Sequence, residues 1–151
     1  MFAALGIPKA NLHRVPELPA EKAARAYKAE IRGILLQVFG ICSNSLPSFD
    51  LCLLGSGANG HCASLYPKSI QVVDSSEGKG GITITVDAIN AARNVLLLAG
   101  KALQLDMARK CLAWSNAATN HALPAGMIST SEGVVVEWIL PEGSAADMPA
   151  M

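Results

Sequence analysis

The sequence predicts an α/β protein, a three-layer sandwich around a mostly parallel sheet. Two apolar runs, residues 51–54 and 94–99, lack the alternation of polar and apolar residues that marks a strand with one face in water. Each run is followed by glycine and, further on, by a segment with helical features. Because buried strands that alternate with helices pair in parallel, these observations favour a parallel sheet covered by helices.

The chain before the first strand predicts a short extended piece and one long helix. Residues 11–15 lie near prolines and are expected to be extended, and Pro19 suits the first turn of a helix. Glu21 then lies near the positive end of the helix dipole. Apolar residues recur on one helical face at Ala23, Ala24, Tyr27, Ile31, Ile34, Leu35 and Val38. Gly40 and the polar residues after it end this helix.

A glycine-rich turn follows the first strand, and the start of a helix is expected after it. Gly55, Gly57 and Gly60 fall within six residues, so the backbone can turn sharply and present N–H groups to an anion or an oxyanion. His61 lies at the carboxyl end of the strand, which is the usual ligand side of an open α/β sheet. This turn is therefore the candidate site of chemistry.

The second half of the chain predicts further strands and helices. Strands are expected at residues 82–86, 94–99 and 133–140, and helices at residues 87–92 and 101–112. The strand at 82–86 rests on its alternation of β-branched apolar and hydroxyl side chains, and Asp87 can cap the brief helix that follows it. Residues 74–81 carry three glycines and no apolar side chain, which is typical of a surface turn.

The length of the chain favours a single domain over residues 1–151, since it can bury a sizeable core. The tail at residues 141–151 is small and polar, and we expect it to fray. The four cysteines form no C-x-x-C pair, and one of them lies in the predicted core strand, so reduced thiols and no metal site are expected. They are Cys42, Cys52, Cys62 and Cys111.

Charge and apolar patterning exclude several classes of partner. Lys plus Arg and Asp plus Glu both number 12, so no net field attracts nucleic acid or an anionic membrane. No apolar run approaches the roughly 18 residues that a membrane-spanning helix needs. The amino terminus lacks the basic and apolar regions of a signal peptide, so no targeting segment is visible. We expect an intracellular protein, either cytoplasmic or organellar, with the plastid among those organelles.

The turn and its flanks resemble a known family. Residues 49–67, F-D-L-C-L-L-G-S-G-A-N-G-H-C-A-S-L-Y-P, are similar to the 6-phosphogluconolactonase signature F-D-L-x-L-L-G-x-G-x-D-G-H-x-A-S-L-F-P. Residues 82–93, the G-K-A at 100–102 and the L-P-A at 123–125 resemble later stretches of the same family, so the resemblance spans nearly the whole chain. The related glucosamine-6-phosphate deaminases share G-x-D-G-H, but S-L-Y-P after the histidine favours the lactonase branch of the superfamily.

The resemblance implies hydrolysis of 6-phosphoglucono-δ-lactone to 6-phosphogluconate, in the oxidative pentose phosphate pathway, without metal or organic cofactor. His61 would take a proton from the attacking water. Backbone N–H groups of the turn could stabilise the oxyanion. Lys101 matches the family's lysine and could meet the substrate phosphate as a point charge. Arg93 also matches a family position, although a structural salt bridge is the favoured interpretation for it. The turn glycines concerned are Gly55, Gly57 and Gly60.

Three departures from the family pattern leave a second hypothesis open. Asn59 stands where the signature has aspartate, so no charge stabilises a protonated histidine. A proline-rich basic segment of the family is replaced by residues 74–81, in which Lys79 is the basic residue. The chain also begins part-way through the family pattern, after its opening strand–helix units and phosphate loop.

The alternative is a catalytically degenerate homologue, retained as a binding or structural subunit of a larger assembly. In that case a protein partner would cover the sheet edge that the missing strands leave exposed. A deaminase or isomerase of the aminosugar branch is a third, less favoured hypothesis.

Overall fold

The computed structural model of this chain describes residues 5–40, 47–67, 82–115, 123–128 and 135–144, and the side chains of these residues except 113–115. The chain forms two compact units, Met1–Ser43 and Asn44–Met151. The prediction of a single domain over residues 1–151 stays a prediction. The predicted surface turn at 74–81 lies outside the described residues, as do Cys42 and most of the predicted tail.

The first unit contains one long helix, as its sequence predicts. Helix α1 spans Ala20–Phe39, with Pro19 as its N-cap residue and Glu21 in its first turn. Gly40 ends it with φ of 66°, a left-handed conformation that favours glycine, and its N–H bonds to the carbonyl of Leu36. The helix prediction is confirmed at both ends.

Hydrogen bonds of His13 connect the segment before α1 to that helix. Its Nδ1 lies 2.7 Å from Oε1 of Glu30, and the Tyr27 hydroxyl donates to its carbonyl oxygen at 3.3 Å. A 3-10 turn covers Lys9–Asn11, so Asn11 belongs to a turn and the predicted extended piece begins only at the next residue.

Within the described residues, the second unit is built on a parallel three-stranded sheet. Strands β1 (Cys52–Gly55), β2 (Asn94–Leu98) and β3 (Val135–Ile139) lie in the order β1-β2-β3, and both neighbouring pairs are parallel. The α/β class and the parallel sheet are therefore confirmed, and so are the strands predicted from the apolar runs.

The sheet buries one of its faces more deeply than the other. Val95 and Leu97 of the central strand are fully buried, whereas Leu53 on β1 is 70% exposed. The expectation that β1 is covered on both faces is thus wrong for the described residues. A strand at the edge of the sheet has a neighbour on one side only, which leaves its side chains with fewer packing partners.

The strand predicted at residues 82–86 is absent, and this prediction is corrected. Residues 82–85 form no regular structure, and α2 spans Val86–Asn90. The Thr85 hydroxyl oxygen accepts from the N–H of Ala88 at 3.3 Å, so Thr85 is the N-cap and Asp87 lies inside the first turn. The hydroxyl that completed an alternating pattern in the sequence begins a helix in the structure.

The remaining elements close the core of the second unit. Helix α3 spans Ala102–Ser115, which confirms the helix predicted there, and a 3-10 turn follows at Pro124–Met127. This turn lies close against α3, because a Cβ added at Gly126 would lie 3.6 Å from the Cα of Cys111. No helix in the described ranges is both long enough and apolar enough to cross a membrane.

A tight turn replaces the helix start expected after the histidine. The N–H of Leu65 bonds to the carbonyl of Cys62 at 2.7 Å, and the N–H of Cys62 bonds to the carbonyl of Leu65 at 3.3 Å. Between them Ala63 and Ser64 have φ of 47° and 61°, so both are left-handed. Since L-residues are disfavoured there, this turn holds local strain, and no helix forms up to Pro67.

Relief of this strain is measurable. Ser64 is exposed, and replacing it by glycine removes the Cβ that opposes a left-handed backbone. We expect Ser64→Gly to raise the free energy of unfolding by ~0.5–1 kcal/mol in chemical denaturation. The matched control is Ala58→Gly, at an exposed residue whose φ is not positive, where glycine should lower stability by a similar amount. Equal destabilisation by both variants would contradict the strained turn.

Candidate active site

The glycine turn at the carboxyl end of β1 is closed by its own backbone. The N–H of Gly57 bonds to the carbonyl of His61 at 2.8 Å, and the N–H of Gly60 bonds to the carbonyl of Gly57 at 3.0 Å. Gly60 has φ of 83°, and a Cβ there would lie 2.7 Å from Cδ2 of Leu123. Its carbonyl accepts from the N–H of Ala125 at 2.9 Å. Gly60 therefore serves the packing of the turn rather than a ligand.

The imidazole of His61 is held on three sides. Its Nδ1 lies 2.6 Å from Oδ1 of Asn59, and its ring stacks on Tyr66 with centroids 4.8 Å apart and planes inclined by 27°. The Nδ1–Cε1 edge lies against Gly57, where an added Cβ would be 2.0 Å from Nδ1 and 2.1 Å from Cε1. No residue other than glycine fits at 57 while the ring keeps this position.

Ser56 ties the turn to the neighbouring strand. Its N–H and its hydroxyl both donate to the carbonyl oxygen of Leu98, at 3.0 and 2.9 Å, and the residue is 4% exposed. Its own carbonyl accepts from Nε2 of Gln104 at 2.7 Å. A buried serine with its N–H, hydroxyl and carbonyl all bonded fixes where β1 ends relative to β2.

Gln104 also sets the beginning of α3. Its Oε1 accepts from the backbone N–H of Lys101 at 2.8 Å, which is the side-chain-to-backbone half of a capping box. The same amide group thus joins the glycine turn to the residue that precedes the helix. Lys101 is thereby placed across from the glycine turn.

An open cleft of about 540 Å³ lies between the glycine turn and the start of α3. Because the cleft has the imidazole on its lining together with a lysine, it offers a proton acceptor and a cation to one ligand. The first N–H groups of a helix also lack acceptors within it, and α3 begins on this lining. The lining residues are Gly55, Ser56, Gly57, Ala58, His61, Lys101, Ala102, Leu103 and Gln104.

The structure brings most of the residues singled out from sequence to this place, but not all of them. Gly55, Gly57, His61 and Lys101 line the cleft, while Gly60 and Asn59 support the turn from outside the lining. These positions are geometric findings, and a functional role for each residue stays a prediction.

Arg93 lies elsewhere and needs correction as a candidate phosphate contact. It precedes β2, at the opposite end of the strand from the cleft, and its Nη1 pairs with Oδ1 of Asp50 at 3.1 Å. Both side chains are largely exposed, and the Arg93 N–H bonds to the carbonyl of Phe49 at 2.8 Å. The structural salt bridge favoured from the sequence is the arrangement observed.

Sequence reasoning missed three contributors to the site, Ser56, Gln104 and Tyr66. The sequence did carry a signal for Gln104. A glutamine at the third position of a helix can accept from the backbone N–H of the N-cap residue, as in a capping box. Tyr66 had no such signal, since its contact with His61 depends on two non-glycine residues with positive φ. Ser56 lies between Gly55 and Gly57, and no feature of the sequence distinguished it from the rest of the turn.

The thiols next to the site are buried and protonated. Burial raises the pKa of Cys62 to about 12, with a further contribution from the nearby Cys111, and burial raises the pKa of Cys111 to about 11. Neither is suited to act as a nucleophile, which requires a thiolate. Among the described residues no group of three or more side chains could hold a metal ion. The absence of a cofactor stays a prediction.

The comparisons with known proteins agree on one family. Residues 1–138 match the family model described as glucosamine-6-phosphate isomerases/6-phosphogluconolactonase. A 6-phosphogluconolactonase from Synechocystis is 36% identical over 102 residues, covering 61% of this chain and 41% of that protein. The human 6-phosphogluconolactonase is 31% identical over 160 residues, covering 96% of this chain and 57% of that protein. The chain thus spans about half the length of these relatives.

A solved structure agrees with the fold. The crystal structure of the devB protein superposes with a TM-score of 0.75 at 26% sequence identity, covering 99% of this chain and 63% of that one.

The raised pKa values of the buried thiols predict that the protein loses stability at alkaline pH. An unfolded thiol loses its proton near the ordinary value of 9.0, whereas the folded Cys62 and Cys111 hold theirs to higher pH. The folded state therefore binds more protons, and this part of the stability is complete below pH 9.0 and is lost as the pH rises.

Denaturant unfolding between about pH 8 and pH 10 should show this loss. By pH 10 the free energy of unfolding should have fallen by on the order of 1 kcal/mol through Cys62 alone. Cys62→Ala combined with Cys111→Ala should make the slope shallower, whatever the variant's stability at pH 8, and Cys52, whose pKa is also raised by burial, accounts for part of the slope that remains. An unchanged slope would contradict the assignment.

Proposed function

Because the chain belongs to the family of glucosamine-6-phosphate isomerases and 6-phosphogluconolactonases, we propose that it hydrolyses 6-phosphoglucono-δ-lactone to 6-phosphogluconate. The observation that supports this most is the cleft that has both His61 and Lys101 on its lining. A phosphorylated sugar lactone needs a proton acceptor near its carbonyl and a cation near its phosphate. The reaction would belong to the oxidative pentose phosphate pathway.

The reaction is one addition and one elimination. Water attacks the C1 carbonyl while its proton passes to Nε2 of His61, which gives a tetrahedral oxyanion and an imidazolium. The oxyanion collapses, the C1–ring oxygen bond breaks, and the imidazolium returns the proton to the departing oxygen. An imidazole suits both steps, because its ordinary titration range brackets neutral pH. The N–H groups of Ser56, Gly57 and Gly60 bond within the protein. A backbone donor for the oxyanion would therefore come from another residue of the turn, such as Ala58 on the cleft lining.

The phosphate end would lie toward α3. Lys101 supplies a point charge, and Ala102 and Leu103 begin a helix of 14 residues on the cleft lining. Helix N-termini favour anions because their first N–H groups have no intrahelical acceptor and the dipole is positive there. The lysine and the helix start therefore favour the same ligand charge.

Asn59 sets the expected level of activity. Its Oδ1 still contacts Nδ1 of His61 at 2.6 Å, so orientation of the ring does not require the family's aspartate. An amide, however, carries no charge to stabilise the imidazolium that forms during the attack. In a serine-protease triad the comparable aspartate-to-asparagine change costs about 10⁴ in kcat, where the tautomer also changes. We expect this chain to be slower than a variant with aspartate at 59.

The test follows hydrolysis of freshly generated lactone by the chain against the spontaneous rate. His61→Ala should abolish the acceleration, while His13→Ala, at a histidine bonded to Glu30, should keep it. Lys101→Ala should mainly raise KM, and the matched Lys110→Ala on the exposed part of α3 should not. Asn59→Asp should increase kcat about tenfold or more. No acceleration by either the parent chain or Asn59→Asp would refute the proposal.

A second candidate function, a binding or structural subunit without catalysis, is favoured by the outer edge of β1. Among the described residues β1 pairs with β2 alone. Leu53 on β1 is 70% exposed, and Leu51 just before it is 49% exposed. An unpaired edge with exposed leucines can accept a strand from a protein partner.

Under this candidate the purified chain should associate, and light scattering after size exclusion should show a mass above the monomer. Leu53→Lys should shift that mass toward the monomer, because a charge blocks edge pairing. The control Leu103→Lys changes an equally exposed leucine that belongs to α3 and not to a strand. A stable monomer at all concentrations would argue against the subunit. The compartment, cytoplasm or an organelle such as the plastid, stays a prediction.

A further inference from the structure

The hydrogen bonds of Asn59 determine which nitrogen of His61 carries the proton. Its Oδ1 lies 3.2 Å from the backbone N–H of His61 and 2.6 Å from Nδ1 of the same residue. A backbone N–H can only donate, so the amide must turn its oxygen, not its NH₂ group, toward His61. That oxygen can only accept, and therefore Nδ1 must donate to it.

Nδ1 of a neutral imidazole donates only in the Nδ1–H tautomer, which leaves Nε2 with the lone pair. Among the described residues none is bonded to Nε2 of His61. The ring edge formed by Nδ1 and Cε1 is shielded by Gly57, so Nδ1 has no room for a ligand. The acceptor that remains is Nε2, on a side chain that lines the cleft.

Tyr66 fixes the plane of the same ring. Its ring is stacked on the imidazole at 4.8 Å, although Tyr66 itself is 48% exposed. The two left-handed residues, Ala63 and Ser64, reverse the chain between the paired Cys62 and Leu65, which brings the next residue back over His61. Local strain of this kind is characteristic of sites where it positions a side chain.

We propose that Asn59 and Tyr66 are positioning residues, which hold His61 as the Nδ1–H tautomer in a fixed plane with the Nε2 lone pair available to the cleft. Asn59 chooses the nitrogen, and Tyr66 together with Gly57 limits rotation of the ring. The use of that lone pair in lactone hydrolysis rests on the proposed function, whereas the tautomer and the ring position do not.

The tautomer is read directly from ¹⁵N NMR of the full chain labelled at histidine, about two pH units above the ordinary imidazole titration. The chain has three histidines, and His61→Gln identifies the signals of His61. We expect Nδ1 to be the protonated nitrogen. Asn59→Asp should keep this pattern because it keeps the acceptor, and Asn59→Ala should shift the population toward Nε2–H, which free histidine prefers. The signals of His13, bonded to Glu30, should not change.

Ring position is read from the His61 ring protons, which a stacked aromatic ring shifts upfield. Tyr66→Phe should keep the shift and Tyr66→Ala should abolish it. Gly57→Ala should also abolish it, because the added methyl occupies the place of the ring edge, whereas the matched Gly100→Ala meets no atom within 4 Å. If the chain is a lactonase, Tyr66→Ala should lower kcat about tenfold with little change in KM, and Tyr66→Phe should restore it.

Protonation at Nε2 in the parent chain would overturn the proposal without any variant, as would an Asn59→Ala spectrum identical to the parent's. A loss of the ring shift in Tyr66→Phe as large as in Tyr66→Ala would overturn the role of the ring. The expected tautomer, with no lactone hydrolysis by either the parent chain or Asn59→Asp, would uphold this inference and refute the proposed function. Lactone hydrolysis by a chain whose His61 is protonated at Nε2 would uphold the proposed function and refute this inference.

Discussion

The carbonyl oxygen of Leu98 is the point on which the site depends. It accepts from both the N–H and the hydroxyl of Ser56, and so it joins the end of β2 to the residue that follows β1. Gln104 then connects the carbonyl of Ser56 to the N–H of Lys101. One chain of hydrogen bonds therefore runs from the central strand through the glycine turn to the start of α3, and it sets the width of the cleft.

This chain of bonds explains how a small three-stranded unit can hold a defined site. Each buried hydrogen bond contributes only about 1 kcal/mol net, but a buried serine left unbonded would cost more than that. Ser56 is satisfied only when the two strand ends keep their register. The glycine turn is thus fixed at its base, and its tip can support two strained residues, Ala63 and Ser64, that bring Tyr66 over His61.

The sequence was informative where one physical effect dominates. Continuous apolar runs predicted β1 and β2 because a buried parallel strand has no wet face, and the glycine spacing located the turn. It failed at residues 82–86, where the cap offered by Thr85 outweighed an alternating pattern, and the apolar run of β1 did not reveal that Leu53 lies at an edge. The contact of Tyr66 with His61 could not be predicted. It depends on a left-handed turn at Ala63 and Ser64, and these residue types do not indicate such a turn as glycine or asparagine would.

We expect 6-phosphogluconate, the product of the proposed reaction, to occupy the cleft between the glycine turn and α3. A crystal structure of the chain with 6-phosphogluconate tests it most directly. We expect the C1 carboxylate within hydrogen-bond distance of Nε2 of His61, and the phosphate beside Lys101 and the first turn of α3. Product bound outside this cleft, or with its phosphate at His61 and its carboxylate at the helix, would contradict the account.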